Sequence, residues 1–317
     1  MLYNHNMRIF LLIIDGLGVG SQPDYSKYDS EYNCTLDNIS VIDESSTLNK
    51  LGLLKCCLKE NNLVTKNRYY RGRMLTIFND FEYGLTEILG NCVFDKSLPI
   101  KENLITMLKK YNVNYQFVTS RSECGVEGNI VDCDYSVFYY IKNFLDNNDG
   151  VFIGEFNDFA KAGLIGDTQK MNESLSLFDK NLGEIVKELK YNDILVVSGN
   201  FGINPSKIGI TREYIPILLY SRLLGGSKVL ETIQGNNCIA MTIVDLLNIY
   251  PNINSLISEK EKQKIESYIN ILKNDLIASG FEKVLEIKGK DKSKQGSNKK
   301  VARENKIKTK KAVPIKK

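Results

Sequence analysis

Histidine is almost absent: the 317-residue chain has a single one, His5, ahead of the first apolar run. A mechanism that needs an internal imidazole as base, acid or metal ligand is thereby nearly excluded, and His5 itself reads as a solvated terminal residue. The seven cysteines (34, 56, 57, 92, 124, 133 and 238) are scattered and odd in number, with no C-x-x-C pair. That pattern argues against a thiolate zinc site and for the reduced thiols of an intracellular protein. No apolar run is long enough to span a bilayer, and residues 1–6 are polar, so neither a transmembrane segment nor a signal peptide is expected. Cytoplasmic localisation is the expectation that follows.

Charge is unevenly placed. Residues 288–317 hold twelve lysines and one arginine against Asp291 and Glu304, a net of +11 in a chain whose total is +4, which leaves −7 on residues 1–287. From Lys288 onward the apolar pattern lapses and Lys, Asn, Ser and Gly dominate. Such a composition buries too little surface to offset chain entropy and is expected to be disordered. Its lysines lack interleaved aromatics, so base stacking is not implied. Lys299, Lys300, Arg303, Lys306, Lys308, Lys310 and Lys311 are the candidates for contact with a polyanion: RNA, the ribosome, DNA or an anionic membrane face. A solubilising tail is the competing reading, and KIKTKK (306–311) also suits a nuclear localisation signal.

The body alternates buried strands with amphipathic helices. Apolar runs predict strands at 8–15, 74–78, 115–119, 150–156, 193–198 and 215–220. Helical spacing marks 103–111, 136–145, 171–189 and 238–249. A further helix starts at Ser258, where Glu261 completes an S-x-x-E capping box, and Gly280 is its expected stop. Its apolar stripe suits either core packing or a docking face. This alternation predicts an α/β three-layer sandwich with a mostly parallel central sheet. The domain plan is a core over 1–256, a helical extension over 257–287 and the basic tail over 288–317.

The first strand ends on Asp15, and glycines follow at 16, 18 and 20. Ligands gather at the carboxyl ends of strands in open parallel sheets, and glycines let the backbone approach a bound group. A dinucleotide turn is disfavoured, because the spacing is G-x-G-x-G and Ser21, Gln22 and Pro23 follow where a helix should begin. A hard-cation ligand and a turn-capping aspartate both remain open for Asp15.

Five stretches decide between them: RIFLLIIDGLGVGSQPDY (8–25), CTLDNIS (34–40), LNKLGL (48–53), YGLTEILG (83–90) and FGINPSKIGITREYIPILLY (201–220). In order, they resemble the phosphopentomutase branch of the alkaline-phosphatase superfamily, with TREYIPILLY the most specific match. The resemblance implies an alkaline-phosphatase-like core and a centre of two divalent cations, usually manganese. Asp and His ligands hold these cations around a phosphorylated Thr, so that they clamp a transferring phosphoryl group.

Carried over position by position, that site is mostly replaced. Asp15 matches the first Asp ligand. GNFGINP (199–205) overlies A-D-H-G-x-D-P, which puts Asn200 at an Asp position, Phe201 at a His position and Asn204 at the later Asp. Gly209 and Ile210 stand where D-H precedes T-R-E-Y. FNDFAKAGL (156–164) corresponds to V-D-F-D-x-x-Y-G-H, with Phe159 or Ala160 at the second Asp and Leu164 at the His. DFEYGLTE (80–87) overlies the nucleophile segment D-T-x-T-G-H-W-E, so Phe81, Glu82 and Tyr83 fill the Thr-bearing stretch while Asp80, Gly84 and Glu87 persist. A Tyr83 phenol would misplace the phosphoryl beyond what near-attack geometry tolerates. Residues 90–113 pass directly to the helix and strand that follow the family's cap domain, so the substrate-selecting lid is read as deleted.

Two functions are carried forward. The first is a catalytically inactive relative retained as a binding or structural factor. It holds no cofactor, docks a protein through its core or the 258–280 helix, and grips a polyanion with its tail. Asp15 is then a relict ligand, and the TREY segment persists for structural reasons, with Arg212 and Glu213 pairing inside their loop. The second is an active, manganese- or magnesium-dependent phosphomutase or phosphatase with a remodelled site, in which Arg212 meets a phosphate.

Overall fold

Every residue of the first strand, β1 (Arg8–Ile14), is buried, as an apolar run without alternation requires when a sheet is covered on both faces. The structure, a computed structural model, describes residues 7–28, 30–57, 65–77, 80–90, 103–121, 127–147, 149–227, 229–249 and 255–278. The further strands are β2 (Arg68–Arg73), β3 (Tyr115–Thr119), β4 (Asn129–Ile130), β5 (Gly150–Phe156), β6 (Ile194–Gly199), β7 (Gly202–Asn204), β8 (Gly209–Thr211), β9 (Ile215–Tyr220) and β10 (Glu231–Gln234). The helices are α1 (Thr47–Leu51), α2 (Leu53–Cys56), α3 (Phe81–Ile88), α4 (Leu104–Lys110), α5 (Asp134–Asn147), α6 (Asp158–Gly163), α7 (Thr168–Glu188), α8 (Cys238–Leu246) and α9 (Glu259–Ala278).

Eight strands form one sheet in the order β10-β2-β9-β6-β1-β5-β3-β4. β9 alone runs against its neighbours β2 and β6; the other pairings are parallel. Helices cover both faces, which makes the α/β sandwich with a mostly parallel centre that the alternation predicts. On one face Phe10 packs edge-on against Phe144, and Phe138, Phe156 and Phe178 close a second aromatic cluster. The stripe of α7 (Met171, Leu175, Phe178, Leu182, Ile185) is buried there, and Asp167 caps the helix by accepting from the Lys170 N–H. Arg8, buried at the start of β1, is paired with Asp193 at 2.5 Å, and its guanidinium also donates to the Leu145 carbonyl.

Two expectations change. The strand predicted over 74–78 lies earlier, as β2; Met74 to Thr76 has no regular secondary structure, Ile77 is a bend, and residue 78 falls outside the described residues. Side-chain charges hold the backbone of 74–76 in place of a sheet ladder, as described below. The short elements β4, β7, β8 and β10 also went unread, being two to four residues long.

The chain divides into units of residues 1–265 and 266–317. In the first, the Ser258 N–H and hydroxyl both donate to Glu261 (3.1 and 2.6 Å), so the capping box forms as its spacing predicts. Of the second, only the helical residues 266–278 are described. Gly280 and the tail residues Lys299, Lys300, Arg303, Lys306, Lys308, Lys310 and Lys311 lie outside the described residues, as do His5, Cys92 and Cys124. No described helix is long and apolar enough to cross a membrane.

Candidate functional site

β1 delivers Asp15 to the carboxyl end of the sheet, between the ends of β5 and β6. The side chain is fully buried and its backbone N–H donates to the Phe156 carbonyl at 2.9 Å. Asn200, just past β6, donates its Nδ2 to Asp15 Oδ1 at 2.6 Å and accepts the Gly16 N–H on Oδ1 at 3.2 Å. Both amide atoms thus have partners that suit only one orientation of the group. The turn is therefore fastened by Asn200, with Asp15 as the acceptor.

Gly16 and Gly18 of this turn press against the protein's own backbone and side chains. A Cβ on Gly18 would lie 2.5 Å from Glu213 Oε2 and 2.8 Å from Gly202 Cα. Gly16 and Gly20 take φ of +84° and +113°, a region that disfavours other residues.

A second carboxylate faces Asp15 from the neighbouring strand. Glu155 on β5 is also fully buried; it accepts from the Thr119 hydroxyl at 2.6 Å, and the Arg121 guanidinium lies 2.8 Å from its Oε1. Burial, then the Glu155 charge, holds the Asp15 pKa well above the ordinary carboxylate value, with Arg121 opposing. Beside this group, Asp134 at the start of α5 accepts from the Ser120 hydroxyl and from the Asn157 N–H (2.9 Å), and burial raises its pKa to about 6. Glu155 was not singled out in the sequence. Its signal was an acid inside the otherwise apolar strand GVFIGEF.

Of the other positions matched to metal ligands, Asn204 accepts the Ser206 N–H at 3.0 Å, Gly209 begins β8 and Phe159 joins the main core, while most of the rest converge on carbon. Phe201 and Ala160 are fully buried and pack with Met74 and Ile203, and Phe81, Leu164 and Ile210 pack against that cluster. Phe81 and Phe201 meet edge to face with centroids 5.0 Å apart. Residues from the nucleophile segment, from both imidazole-bearing loops and from the β5–α6 segment therefore share one apolar cluster. The donor set does not fit a pair of divalent cations. Such ions need several charged oxygens or imidazoles, whereas here an amide N–H points at Asp15, Arg121 is paired with Glu155, and aromatic and aliphatic carbon occupies most of the matched ligand positions. Among the described residues no group of three or more His, Cys, Asp or Glu side chains is placed to hold a metal ion.

The motif residues that persist have other tasks. Asp80 caps α3 by accepting the Glu82 N–H at 3.0 Å. Gly84 lets α3 press against the Asn200 carbonyl. Glu87, fully buried, accepts from the N–H groups of Leu75 (3.0 Å), Thr76 (2.8 Å) and Asn236 (2.9 Å). Arg212, 1% exposed, donates to the Thr76 carbonyl at 2.6 Å and the Met74 carbonyl at 2.8 Å, with its guanidinium over the Tyr28 ring. It does not pair with Glu213, as the sequence reading had it. Glu213 instead accepts from the Gly20 and Thr35 N–H groups (both 2.9 Å), from Asn33 (2.6 Å) and from the hydroxyls of Thr35 (2.9 Å) and Thr211 (2.6 Å). Tyr83 sits half-buried on α3.

No protein-family model matches the chain. Its sequence is similar to that of phosphopentomutase from Clostridium perfringens, at 25% identity over 233 residues that cover 65% of this chain and 55% of that protein. It is also similar to the Clostridium tetani phosphopentomutase, at 35% identity over 79 residues, 24% of this chain and 20% of that one. The chain thus spans about half the length of the curated relatives it matches. Among solved structures, the alkaline phosphatase from the Antarctic bacterium TAB5 aligns with TM-score 0.49 at 12% identity, covering 78% of this chain and 99% of that one.

Proposed function

We propose that this phosphopentomutase-like α/β domain no longer transfers phosphoryl groups and serves as a binding or structural factor. One observation carries the reading: Phe81, Leu164, Phe201 and Ile210, at positions matched to ligands or to the nucleophile segment, pack in a single apolar cluster with Ala160, one of the two candidates for the second Asp position. Loss of one ligand is compatible with altered metal choice. Replacement of several by mutually packed carbon removes most of the charged oxygens and imidazoles that would offset the dehydration cost of a divalent cation.

Under this reading the function lies on the surfaces and in the basic tail. Residues 288–317, at net +11, would contact the phosphates of a polyanion such as RNA, with affinity falling steeply as salt rises. A protein partner would dock on the core or on α9.

Calorimetric titration of metal-stripped protein with manganese tests the proposal, beside Asp15→Ala as control. Heats no larger than those of the control support it. Two tight sites lost in Asp15→Ala would overturn it and restore the metal-dependent enzyme, to be followed by a phosphoester screen. RNA retention at low salt, compared with a chain ending at Ile287, tests the tail: equal retention would remove the polyanion part.

A further inference from the structure

At the β10 edge of the sheet, four strands from β1 and Asp15, lies a cavity of about 530 Å³. That size suits a small organic molecule. Its floor comes from β2 and β10. The parallel register sets Glu231 opposite Tyr70, and side chains alternate along a strand, so Arg68, Tyr70, Glu231 and Ile233 share one face. Leu256, Ser258 and Glu261, around the start of α9, form another wall, and Val229, 71% exposed, stands at the rim. One cation against two carboxylates gives the lining a charge of −1. Arg68 and Glu261 pair with each other. Arg68 also donates to the carbonyls of Gly225 (3.0 Å) and Leu256 (3.2 Å), and Glu261 accepts the Ser258 hydroxyl at 2.6 Å. Those two charges are therefore already satisfied. Glu231 is exposed and makes no ion pair or hydrogen bond among the described residues. Beside it, the buried Tyr70 hydroxyl has only long contacts, 3.4 Å from Arg68 Nη1 and 3.4 Å to the Leu256 carbonyl. A well-made hydroxyl bond closes to about 2.7–2.8 Å.

We propose that this cavity binds a protonated aliphatic amine, its ammonium between the Glu231 carboxylate and the Tyr70 oxygen and its stem along Ile233, Leu256 and Val229. An ammonium carries three donors and no acceptor, which matches a site whose open polar atoms at this point are acceptors. An anionic ligand would meet Glu231 with like charge, while Arg68, held by Glu261, has no guanidinium nitrogen left without a partner to receive it. The aliphatic lining removes the stem from water, so affinity should grow with each methylene. Two sources supply this chemistry, a free amine and a lysine side chain. The site is independent of whether the Asp15 centre binds metal.

The test is NMR titration of the full chain with n-butylamine, methylamine and 1-butanol at constant ionic strength. The proteins are the unaltered chain, Glu231→Gln, and Glu188→Gln as a control on an exposed acid outside the cavity; circular dichroism checks that each is folded. Butylamine is expected to bind more than tenfold tighter than methylamine, because its stem is buried. It should bind about fivefold tighter than butanol, and Glu231→Gln should remove that preference while leaving butanol unchanged. Glu188→Gln should change nothing. A further titration with Nα-acetyl-lysine N-methylamide separates the sources: binding equal to that of butylamine assigns the cavity to a lysine side chain, and much weaker binding to a free amine. The proposal fails if butylamine does not bind, or if methylamine binds equally well, since the stem then lies in water. It fails also if Glu231→Gln binds butylamine as the unaltered chain does, or if Glu188→Gln weakens it as much.

Discussion

Glu87 and Arg212, 125 positions apart in sequence, grip the same three residues from complementary sides. Glu87 accepts the N–H groups of Leu75 and Thr76, and Arg212 donates to the carbonyls of Met74 and Thr76. An extended segment that lacks a strand partner is thereby satisfied by two buried side chains of opposite charge. Replacing either by alanine leaves buried backbone groups without partners, with an expected loss of roughly 2–4 kcal/mol. Urea denaturation of both single variants and the double checks this. Because each releases the same segment, the double variant should lose less than the sum; strict additivity would mean the two act separately.

The apolar cluster should be stabilising in its own right. Phe201→Ala opens a cavity between Phe81 and Ile203 and should lower stability by about 3–5 kcal/mol. A loss under about 1 kcal/mol, typical of surface positions, would show that Phe201 is poorly packed and that the cluster is a loosely filled relict.

Asp134 gives stability a pH dependence. Its carboxyl titrates near 6 in the folded chain because burial disfavours its charge, against 3.8 for the free group. The folded state therefore holds a proton that the unfolded state releases, so stability falls as pH rises from about 4 to about 6 and is level above. The expected loss is roughly 3 kcal/mol. Denaturation midpoints across that range should slope downward in the unaltered chain and less so in Asp134→Asn. An equal slope in both would place the effect on another group.

Ser258→Ala removes the hydroxyl that donates to Glu261, and is expected to cost about 1 kcal/mol of local helix stability. Amide hydrogen exchange over residues 259–265 is the readout. Lys262, paired with Asp245 at 2.7 Å, and Glu261, paired with Arg68, bound how far the end can fray. Unchanged protection in the variant would mean that these pairs alone hold the turn.

Much of this architecture is legible in the chain because buried strands and striped helices carry one-dimensional signals. Strands 115–119, 150–156 and 215–220 coincide with β3, β5 and β9 to the residue. The 74–78 error has the same origin: an apolar run looks like a strand whether neighbouring backbone or buried Glu87 and Arg212 satisfy its hydrogen bonds. β2 escaped because RYYRGR is half polar and lies next to the open-edged β10.

Sequence alone determined the parallel sheet, Asp15 at a strand end, the capping box at Ser258 and the residue types that replace an expected ligand set. Each follows from local composition or from a matched motif. Only the tertiary structure decided that the replacements pack against one another, that the Glu155 carboxylate faces Asp15, and that Arg212 and Glu213 turn away from each other to different partners. Several of those relations join residues more than a hundred positions apart, such as Asp15 with Glu155 and Arg212 with Met74. Their energies depend on burial and on directional hydrogen bonds, which arise only when the strands are side by side.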